Sequence, residues 1–288
     1  MEDALAVRRV DRLGVVLVAG GALATAWMPF IIVKANRIAA GKPQLLTQLL
    51  TQPSAICLVV LLAAAGLAVL FLHNQVIRLG IATLAIAMLI VTLGLVSTAA
   101  TPTGSTVARI TPGGCFWVLL AVIGLMISDA LVKLRLTPWL RVAALAVYAA
   151  LLAVVLRSDL LDNLSIMKEY ANNADKFWHE ALGHVFLSLG SVAIAIVLAL
   201  PLGIFCYWQP RIRAIVLRAL SLVQTIPSLA LFGILMLPLG YIAANVPFAA
   251  AIGIKGIGAA PALVALVIYS LLPIVANTVV GLPAVDPS

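Results

Sequence analysis

Two stretches near the C-terminal end of the chain place hydrogen-bonding side chains inside long apolar runs. The first, Leu220–Leu239, contains Gln224, Thr225, Pro227 and Ser228. A proline inside a helix removes a backbone hydrogen bond and kinks the helix, and nearby hydroxyl groups can bond the carbonyl that is set free. A glutamine in hydrocarbon is costly unless it faces a bundle interior or a wet cavity. Two interpretations stay open, namely polar contacts that hold helices together and a broken helix that lines a translocation path.

The second stretch, Pro261–Thr278, repeats this pattern, because it also combines polar residues with an internal proline. Two such helices in succession indicate a shared polar interior. The side chains that we predict to line or shape a path are Gln224, Thr225, Ser228, Tyr269 and Asn277, and the helix kinks are predicted at Pro227 and Pro273.

The chain offers little for catalysis or for metal binding. His179, Glu180 and His184 resemble a zinc-protease helix only superficially, because that motif separates its histidines by four residues and these are five apart. No glycine-rich loop ends in Lys-Ser or Lys-Thr, as nucleotide binding by a P-loop requires. The three cysteines lie far apart in or beside apolar runs. We therefore predict no enzymatic activity, no metal site and no cofactor.

The composition identifies lipid as the solvent for most of the chain. Of the 288 residues, 64% are hydrophobic and 10% are charged, whereas soluble domains carry about 25% charged residues. This balance excludes soluble, disordered and disulfide-framework proteins. The net charge of +8 would suggest nucleic acid in a soluble protein, but the basic residues here lie mostly between apolar runs. We interpret them as determinants of topology and contacts to lipid headgroups, and we predict no nucleic-acid partner.

Eight stretches are apolar and long enough to cross a bilayer, which takes about 20 residues as a helix. The sequence therefore predicts an all-α integral membrane protein with about eight transmembrane helices. A ninth apolar stretch, Tyr241–Ile254, is shorter and better suits a re-entrant or interfacial helix. The eight predicted spans are Leu13–Val33, Ala55–Leu72, Leu79–Thr98, Phe116–Val132, Leu140–Leu156, Leu182–Tyr207, Ala214–Leu239 and Ala259–Leu282.

The distribution of Lys and Arg predicts that the N-terminus is cytoplasmic. Short loops around Arg78, Lys133–Arg141 and Arg211–Arg213 are densely basic, as cytoplasmic loops are. The longer segment Arg157–Glu180 mixes both charges and is predicted to be external. Its end reads as an amphipathic helix that enters the membrane, with Trp178 at the interface. Eight spans would return the C-terminus to the cytoplasm.

The C-terminal part of the chain resembles the permease subunits of osmoprotectant ABC importers, the glycine betaine, choline or proline betaine systems among the type I importer permeases. The resemblance covers roughly residues 177–287. It is carried by the runs His184–Leu189, Leu200–Ile204, Gln224–Leu231 (QTIPSLAL), Gly256–Pro261, Leu266–Ile274 (LVIYSLLPI), Asn277–Thr278 and Gly281–Pro287.

The resemblance implies a division of the chain into three parts. Residues 1–157 form an N-terminal membrane extension of about five spans, such as longer members of the family carry, and residues 158–180 form the external polar segment. Residues 181–288 form the N-terminal part of the permease core, with about three spans. Two features depart from the family. Ala276 stands where members often have arginine, and the chain stops before the EAA-type coupling loop, so the core is expected to be incomplete and uncoupled from an ATPase.

The function implied by the resemblance is transport of a compatible solute across the bacterial inner membrane during osmotic adaptation. The implied partners are an ATPase on a separate chain, a periplasmic substrate-binding protein and a second permease copy or paralogue, all around a multi-pass subunit in the lipid bilayer. Two alternatives of other classes remain, namely a multispan scaffold subunit without transport activity and an intramembrane lipid-modifying enzyme. The enzyme would need acids or histidines clustered at one membrane face.

Overall fold

A computed structural model describes residues 11–102, 105, 107–251 and 253–284, and most of them are helical. The chain divides into two units, Met1–Asn173 and Ala174–Ser288. Part of the basic N-terminus and the C-terminal residues 285–288, predicted to be cytoplasmic, lie outside the described residues. The helices of unit 1 are α1 (Arg12–Trp27), α2 (Pro53–Phe71), α3 (Gln75–Ala100), α4 (Gly114–Lys133) and α5 (Pro138–Arg157). The helices that follow are α6 (Ser165–Trp208), α7 (Pro210–Gln224), α8 (Ser228–Asn245), α9 (Pro247–Ala251) and α10 (Ala259–Gly281).

Seven helices in the described part of the chain are long and apolar enough to cross a membrane, which confirms an integral membrane protein built on α-helices. They are α2, α3, α4, α5, α6, α8 and α10, the last with its short extension to Ala284. Helix α1 is apolar but has only 16 residues. The sequence predicted about eight spans, and the structure differs from the predicted bounds at the first and the seventh of them.

The first predicted span, Leu13–Val33, is not one helix. Helix α1 ends at Trp27, and Met28 is already extended, with φ −100° and ψ 143°. Pro29 cannot continue the ladder of helical hydrogen bonds because it has no backbone N–H. The residues from Pro29 to Lys34 form a strand, β1 (Pro29–Lys34). Its apolar, β-branched content suits either a buried strand or the end of a helix, so periodicity alone could not distinguish them.

Strand β1 is the centre of a small sheet that the sequence did not indicate. It pairs antiparallel with β2 (Lys42–Leu45) on one side and with β3 (Arg109–Pro112) on the other. In the second pairing Ile31 lies opposite Pro112 and Lys34 opposite Arg109. The Phe30 and Ile31 side chains are fully buried, so the sheet closes one end of the helical bundle of unit 1 with an apolar face.

The core of unit 1 is formed where α2, α3 and α4 pack together, with α1 against α4. Leu58, Leu89, Leu119 and Ile123 are buried at its centre. Helix α5 has no buried residue within the protein. In a membrane protein such an apolar, uncovered helix is exposed to lipid or to other membrane helices.

One long helix, α6, contains both the later part of the segment predicted to be external, from Ser165 onward, and the sixth predicted span. The boundary between the two units falls within this helix. Its backbone leaves helical geometry at Asn173, with φ −135° and ψ 24°, where two helical pieces meet. The predicted amphipathic helix before His184 is therefore continuous with the span that follows it. The domain boundaries expected near residues 157 and 180 stay predictions.

The seventh predicted span, Ala214–Leu239, is also not one helix. Helix α7 ends at Gln224 and α8 begins at Ser228, so Pro227 breaks the chain into two helices and does not merely kink one. Helix α8 continues to Asn245. The predicted re-entrant stretch Tyr241–Ile254 is thus divided between the end of α8 and the short helix α9.

Helices α6, α7 and α10 share the core of unit 2. Ala199, Cys206 and Val275 are fully buried there, and Val279 is nearly so. The two long helices approach closely at Gly203, where a Cβ atom would lie 2.7 Å from Cβ of Thr278. Small residues at such crossings allow membrane helices to pack closely where lipid supplies no hydrophobic drive.

Candidate functional site

The break between α7 and α8 exposes backbone groups that a continuous helix would have used internally. Helix α7 closes with the Thr225 N–H donating to the Leu222 carbonyl at 3.1 Å, and the Thr225 hydroxyl donates to the same carbonyl at 2.7 Å. The N–H of Leu231 resumes the ladder by donating to the Pro227 carbonyl at 3.0 Å. The carbonyl of Ile226 lies between these two ladders and needs a partner from elsewhere.

That partner comes from α10, through two hydrogen bonds that run in opposite directions. The Tyr269 hydroxyl donates to the Ile226 carbonyl. In return, the Gln224 Nε2 atom donates to the Tyr269 carbonyl at 3.0 Å. We call this pair of hydrogen bonds the Gln224–Tyr269 lock.

Pro273 explains why the Tyr269 carbonyl is available to Gln224. In a helix this carbonyl would accept from the N–H four residues later, and that residue is Pro273, which has no N–H. Helix α10 nevertheless continues through Pro273 to Gly281. Pro273 therefore frees the Tyr269 carbonyl, whereas the Ile226 carbonyl lies in the break between α7 and α8. The Gln224 side chain of α7 bonds the first, and the Tyr269 side chain of α10 bonds the second.

The remaining predicted site residues are less directly connected. Thr225 and Ser228 lie at the same break as Gln224, and all three are exposed. Asn277 is exposed on α10, eight residues beyond Tyr269, which is about 12 Å along a helix at 1.5 Å per residue. The structure thus brings Gln224 and Tyr269 into contact, places Thr225 and Ser228 beside them in sequence, and leaves Asn277 apart. Their role in a path stays a prediction.

The sequence did not predict the lock, although both of its side chains, Gln224 and Tyr269, are among the predicted path residues. The missed participants are backbone atoms, the carbonyls of Ile226 and Tyr269. A signal was present in the four-residue spacing between Tyr269 and Pro273, which marks the carbonyl that loses its partner. The lock consists of neutral groups, namely an amide, a phenol hydroxyl and two backbone carbonyls. These groups can form hydrogen bonds to a solute or hold two helices together.

Unit 1 holds a second polar cluster, made of two basic and two acidic side chains. The Arg78 Nη2 atom lies 3.0 Å from Asp129 Oδ2 and 3.5 Å from Asp11 Oδ2. The Lys133 Nζ atom lies 2.7 Å from Asp129 Oδ2 and 2.8 Å from Asp11 Oδ2. These contacts join the start of α1 to α3 and to the end of α4. We call these four residues the ion cluster.

The ion cluster is partly shielded from solvent. The Arg78 side chain is only 5% exposed and the Asp129 side chain 14%. The hydrogen bond from Lys133 lowers the pKa of Asp11 below its ordinary value, against a smaller opposing effect of burial. Because buried charges are costly unless paired, the cluster fixes the relative positions of three helix ends.

The two histidines of the zinc-protease-like pattern lie on one helix. His179 and His184 are exposed on α6. Within the part of the chain that the structure describes, no three His, Cys, Asp or Glu side chains gather into a group that could hold a metal ion. Of the cysteines, Cys115 and Cys206 are buried as expected for small core residues, whereas Cys57 is exposed.

Comparison with known proteins identifies a family that matches the N-terminal half of the chain. Residues 11–167 match the family described as ABC transporter permease YehY, N-terminal domain. No solved structure matches the chain. The family match begins one residue before α1 and ends in the first turn of α6, so it covers the helices, the sheet and the ion cluster of unit 1. The match also covers more than half of the 288 residues of the chain. The chain therefore belongs to this family of ABC transporter permeases, which are multi-pass transport subunits that act with an ATPase and are not themselves enzymes.

Proposed function

We propose that the chain is the permease subunit of an ABC importer that moves a compatible solute, such as glycine betaine or choline, across the bacterial inner membrane. The observation that carries this proposal is the Gln224–Tyr269 lock. It bonds a helix break to a proline-containing helix through neutral polar groups. Discontinuous helices with freed carbonyls and polar side chains are typical of transport paths near the bilayer midplane.

The absence of charged side chains on α8 and α10, the two long helices after the break, supports this substrate class. Helices α8 and α10 contain no Asp, Glu, Lys or Arg. A small ion with a concentrated charge would meet no counter-charge on these two helices. A quaternary ammonium compound spreads its charge over methyl groups, and an aromatic ring such as that of Tyr269 can contact it favourably. The resemblance of residues 177–287 to osmoprotectant permeases supports the same assignment.

The mechanism that we propose is alternating access driven by the ATPase. A periplasmic binding protein delivers the solute, and a second copy of the permease or a paralogue completes the path. The segment between α7 and α8 acts as the hinge, because a helix break absorbs rotation at little cost. The lock holds that hinge to α10, and exposed polar residues beside it offer the solute weak contacts, since tight binding would trap it.

Uptake measurements with two path variants test the proposal. We expect ATP-dependent accumulation of labelled glycine betaine or choline when a permease completed with the coupling loop is reconstituted in liposomes with its ATPase and binding protein. Ser228→Ala and Asn277→Leu should each lower the uptake rate by about fivefold, the effect of losing one hydrogen bond worth roughly 1 kcal/mol. Ser270→Ala is the control, because its hydroxyl donates within α10 to Leu266 O at 2.8 Å and should leave uptake unchanged.

Two results would contradict this assignment. Uptake of an unrelated solute, such as an amino acid without a quaternary ammonium group, in place of betaine and choline would refute the substrate class. Equal uptake by Ser228→Ala, Asn277→Leu and the control would remove both residues from the path and leave them as helix contacts.

We further propose that the N-terminus is cytoplasmic. The end of unit 1 where α1 begins carries the ion cluster, Arg135 in the short turn after α4, and Arg141 in the first turn of α5. The opposite end carries the sheet and longer connections. Short basic turns favour the cytoplasmic side.

Labelling of single cysteines in intact cells tests this orientation. In a cysteine-free background, Ile38→Cys places a thiol in the loop between β1 and β2, where Ile38 is 97% exposed. Thr137→Cys places one in the turn before α5, where Thr137 makes no side-chain cap. We expect a membrane-impermeant thiol reagent to label the first and to label the second only after lysis. Labelling of Thr137→Cys alone in intact cells would reverse the orientation.

A further inference from the structure

A polar cavity of about 900 Å³ opens at the end of unit 1 that holds the ion cluster. It lies where α1 and α3 begin and where α2 and α4 end. Its lining combines charged groups with the apolar last turn of α2. The residues that matter for its chemistry are Asp11, Arg12, Gln75, Arg78 and Lys133.

The charges around this cavity leave a positive excess. Within the ion cluster, two carboxylates balance Arg78 and Lys133. Arg12 also lines the cavity, is exposed, and forms no ion pair with another residue in the described ranges. The buried Nε of Arg78 has no hydrogen-bond partner among these residues, nor does the buried Oε1 of Gln75. The cavity therefore offers a net positive charge to an anion and an unused acceptor to a hydroxyl group.

An apolar groove of about 580 Å³ lies next to this cavity, and Leu70 lines both. Helices α1 and α2 form its sides and α4 contributes its floor. Small residues, Gly21 and Ala22 on α1 and Ala63 on α2, keep it open.

The dimensions of the groove select its occupant. On α2 the lining runs from Val59 to Leu70, which is about 16 Å at 1.5 Å per residue. One leaflet of the hydrocarbon core is about 15 Å deep. The groove is therefore about as long as one leaflet is deep, and it lies beside a cavity with a positive excess of charge. This combination fits a lipid with an anionic headgroup and one acyl chain along the groove.

We propose that unit 1 binds one anionic phospholipid with a hydroxylated headgroup, such as phosphatidylglycerol. The phosphate lies in the polar cavity near Arg12 and the edge of the ion cluster, and a headgroup hydroxyl donates to Gln75 Oε1. One acyl chain lies in the groove between α1 and α2. The lipid then bridges the starts of α1 and α3, so binding favours the arrangement of helix ends that the ion cluster also fixes.

Native mass spectrometry of the detergent-solubilised protein tests this site by titration with phosphatidylglycerol, phosphatidylcholine and inorganic phosphate. We expect one phosphatidylglycerol to bind at least about fivefold more tightly than phosphatidylcholine, the factor that one basic group contributes at a lipid surface. Arg12→Gln should remove that preference and leave phosphatidylcholine binding unchanged. Arg141→Gln, an exposed arginine outside the cavity, is its control.

A second pair of variants separates the lipid from a free anion. Ala63→Phe fills the groove from an exposed position on α2 and should weaken binding of both lipids, whereas Ala19→Phe, exposed on α1 outside the groove, should not. Equal affinity for the two lipids in the parent protein would overturn the proposal. So would inorganic phosphate that competes fully with phosphatidylglycerol and binds Ala63→Phe unchanged, because the site would then be a free-anion site.

Discussion

Gly113→Ala is expected to destabilise unit 1 strongly. A Cβ atom at this position would lie 2.1 Å from the Pro29 carbonyl oxygen and 2.7 Å from its carbonyl carbon. These are backbone atoms at the start of β1, so no side chain can rotate away to make room. The Gly113 N–H also donates to the Phe30 carbonyl at 2.8 Å, which holds α4 and β1 at this distance.

The expected penalty is steric and not conformational. Gly113 has φ −88° and ψ −179°, values that any residue adopts. Overpacking of this kind costs about 1–3 kcal/mol, and more where the backbone must move. Thermal unfolding in detergent, followed by the monomer peak in size-exclusion chromatography, should show a clear fall in the transition temperature of Gly113→Ala.

Gly124→Ala is the matched control. It lies inside α4, the helix that Gly113 precedes, and a Cβ atom there would meet nothing within 4 Å. We expect its stability to equal or slightly exceed that of the parent protein, because alanine favours the helix over glycine. Equal stability of the two variants would contradict the close contact between Gly113 and the Pro29 carbonyl.

The membrane spans were largely predictable, because their signal is local. A run of about 20 apolar residues must be helical in lipid to satisfy its own backbone, and α2, α3, α4 and α5 lie close to their predicted positions. The two spans that failed contain proline, Pro29 and Pro227. In both, hydrophobicity continued past the point at which the missing N–H ended the helix.

The sheet was beyond prediction because its pairing is non-local. Strand β1 pairs with β3, and Lys34 and Arg109 are 75 residues apart in the sequence while lying opposite each other. Neither strand is long enough to show alternation on its own. Long-range pairing of this kind is decided by packing, which a single sequence does not display.

The candidate site shows the same division between local and long-range information. The cost of a glutamine in an apolar run drew attention to Gln224, and the adjacent prolines indicated a freed backbone. The identity of the bonded carbonyls depends on how α7 meets α10, which the sequence did not display. Likewise, nothing in the spacing of Arg78 and Asp129 predicted that they would meet in the ion cluster.

The two lines of evidence for an ABC permease come from different parts of the chain. The family match covers residues 11–167, whereas the resemblance to osmoprotectant permeases covers roughly residues 177–287. The sequence analysis interpreted the first five spans as an extension of the permease core. The family match assigns residues 11–167 to an N-terminal domain of ABC permeases. The division of the chain into an extension and a permease core stays a prediction.

The lock itself leads to the second large prediction, a coupling between Gln224 and Pro273. Gln224→Leu leaves the Tyr269 carbonyl without a donor, because Pro273 cannot supply one. Interhelical hydrogen bonds of this kind in membranes are worth about 0.6–2 kcal/mol. The substitution also removes a polar group from an apolar environment, which is favourable. The change in unfolding free energy of Gln224→Leu alone therefore does not equal the contribution of the hydrogen bond. A double-mutant cycle separates the two effects.

We expect a cycle that combines Gln224→Leu with Pro273→Ala to measure the contribution of the hydrogen bond from Gln224 to the Tyr269 carbonyl. Alanine at position 273 supplies the N–H that the Tyr269 carbonyl lacks, so Gln224→Leu should be better tolerated in the Pro273→Ala background by about 1 kcal/mol. The measurement is the free energy of unfolding in mixed detergent for the parent, both single variants and the double variant.

Pro238→Ala is the control background, because Pro238 lies inside α8 and its removal supplies no donor to the Tyr269 carbonyl. There the effect of Gln224→Leu should be unchanged. Strict additivity with Pro273→Ala would show that Gln224 does not replace the hydrogen bond that the proline removes, and that α7 and α10 are held together by their apolar contacts alone.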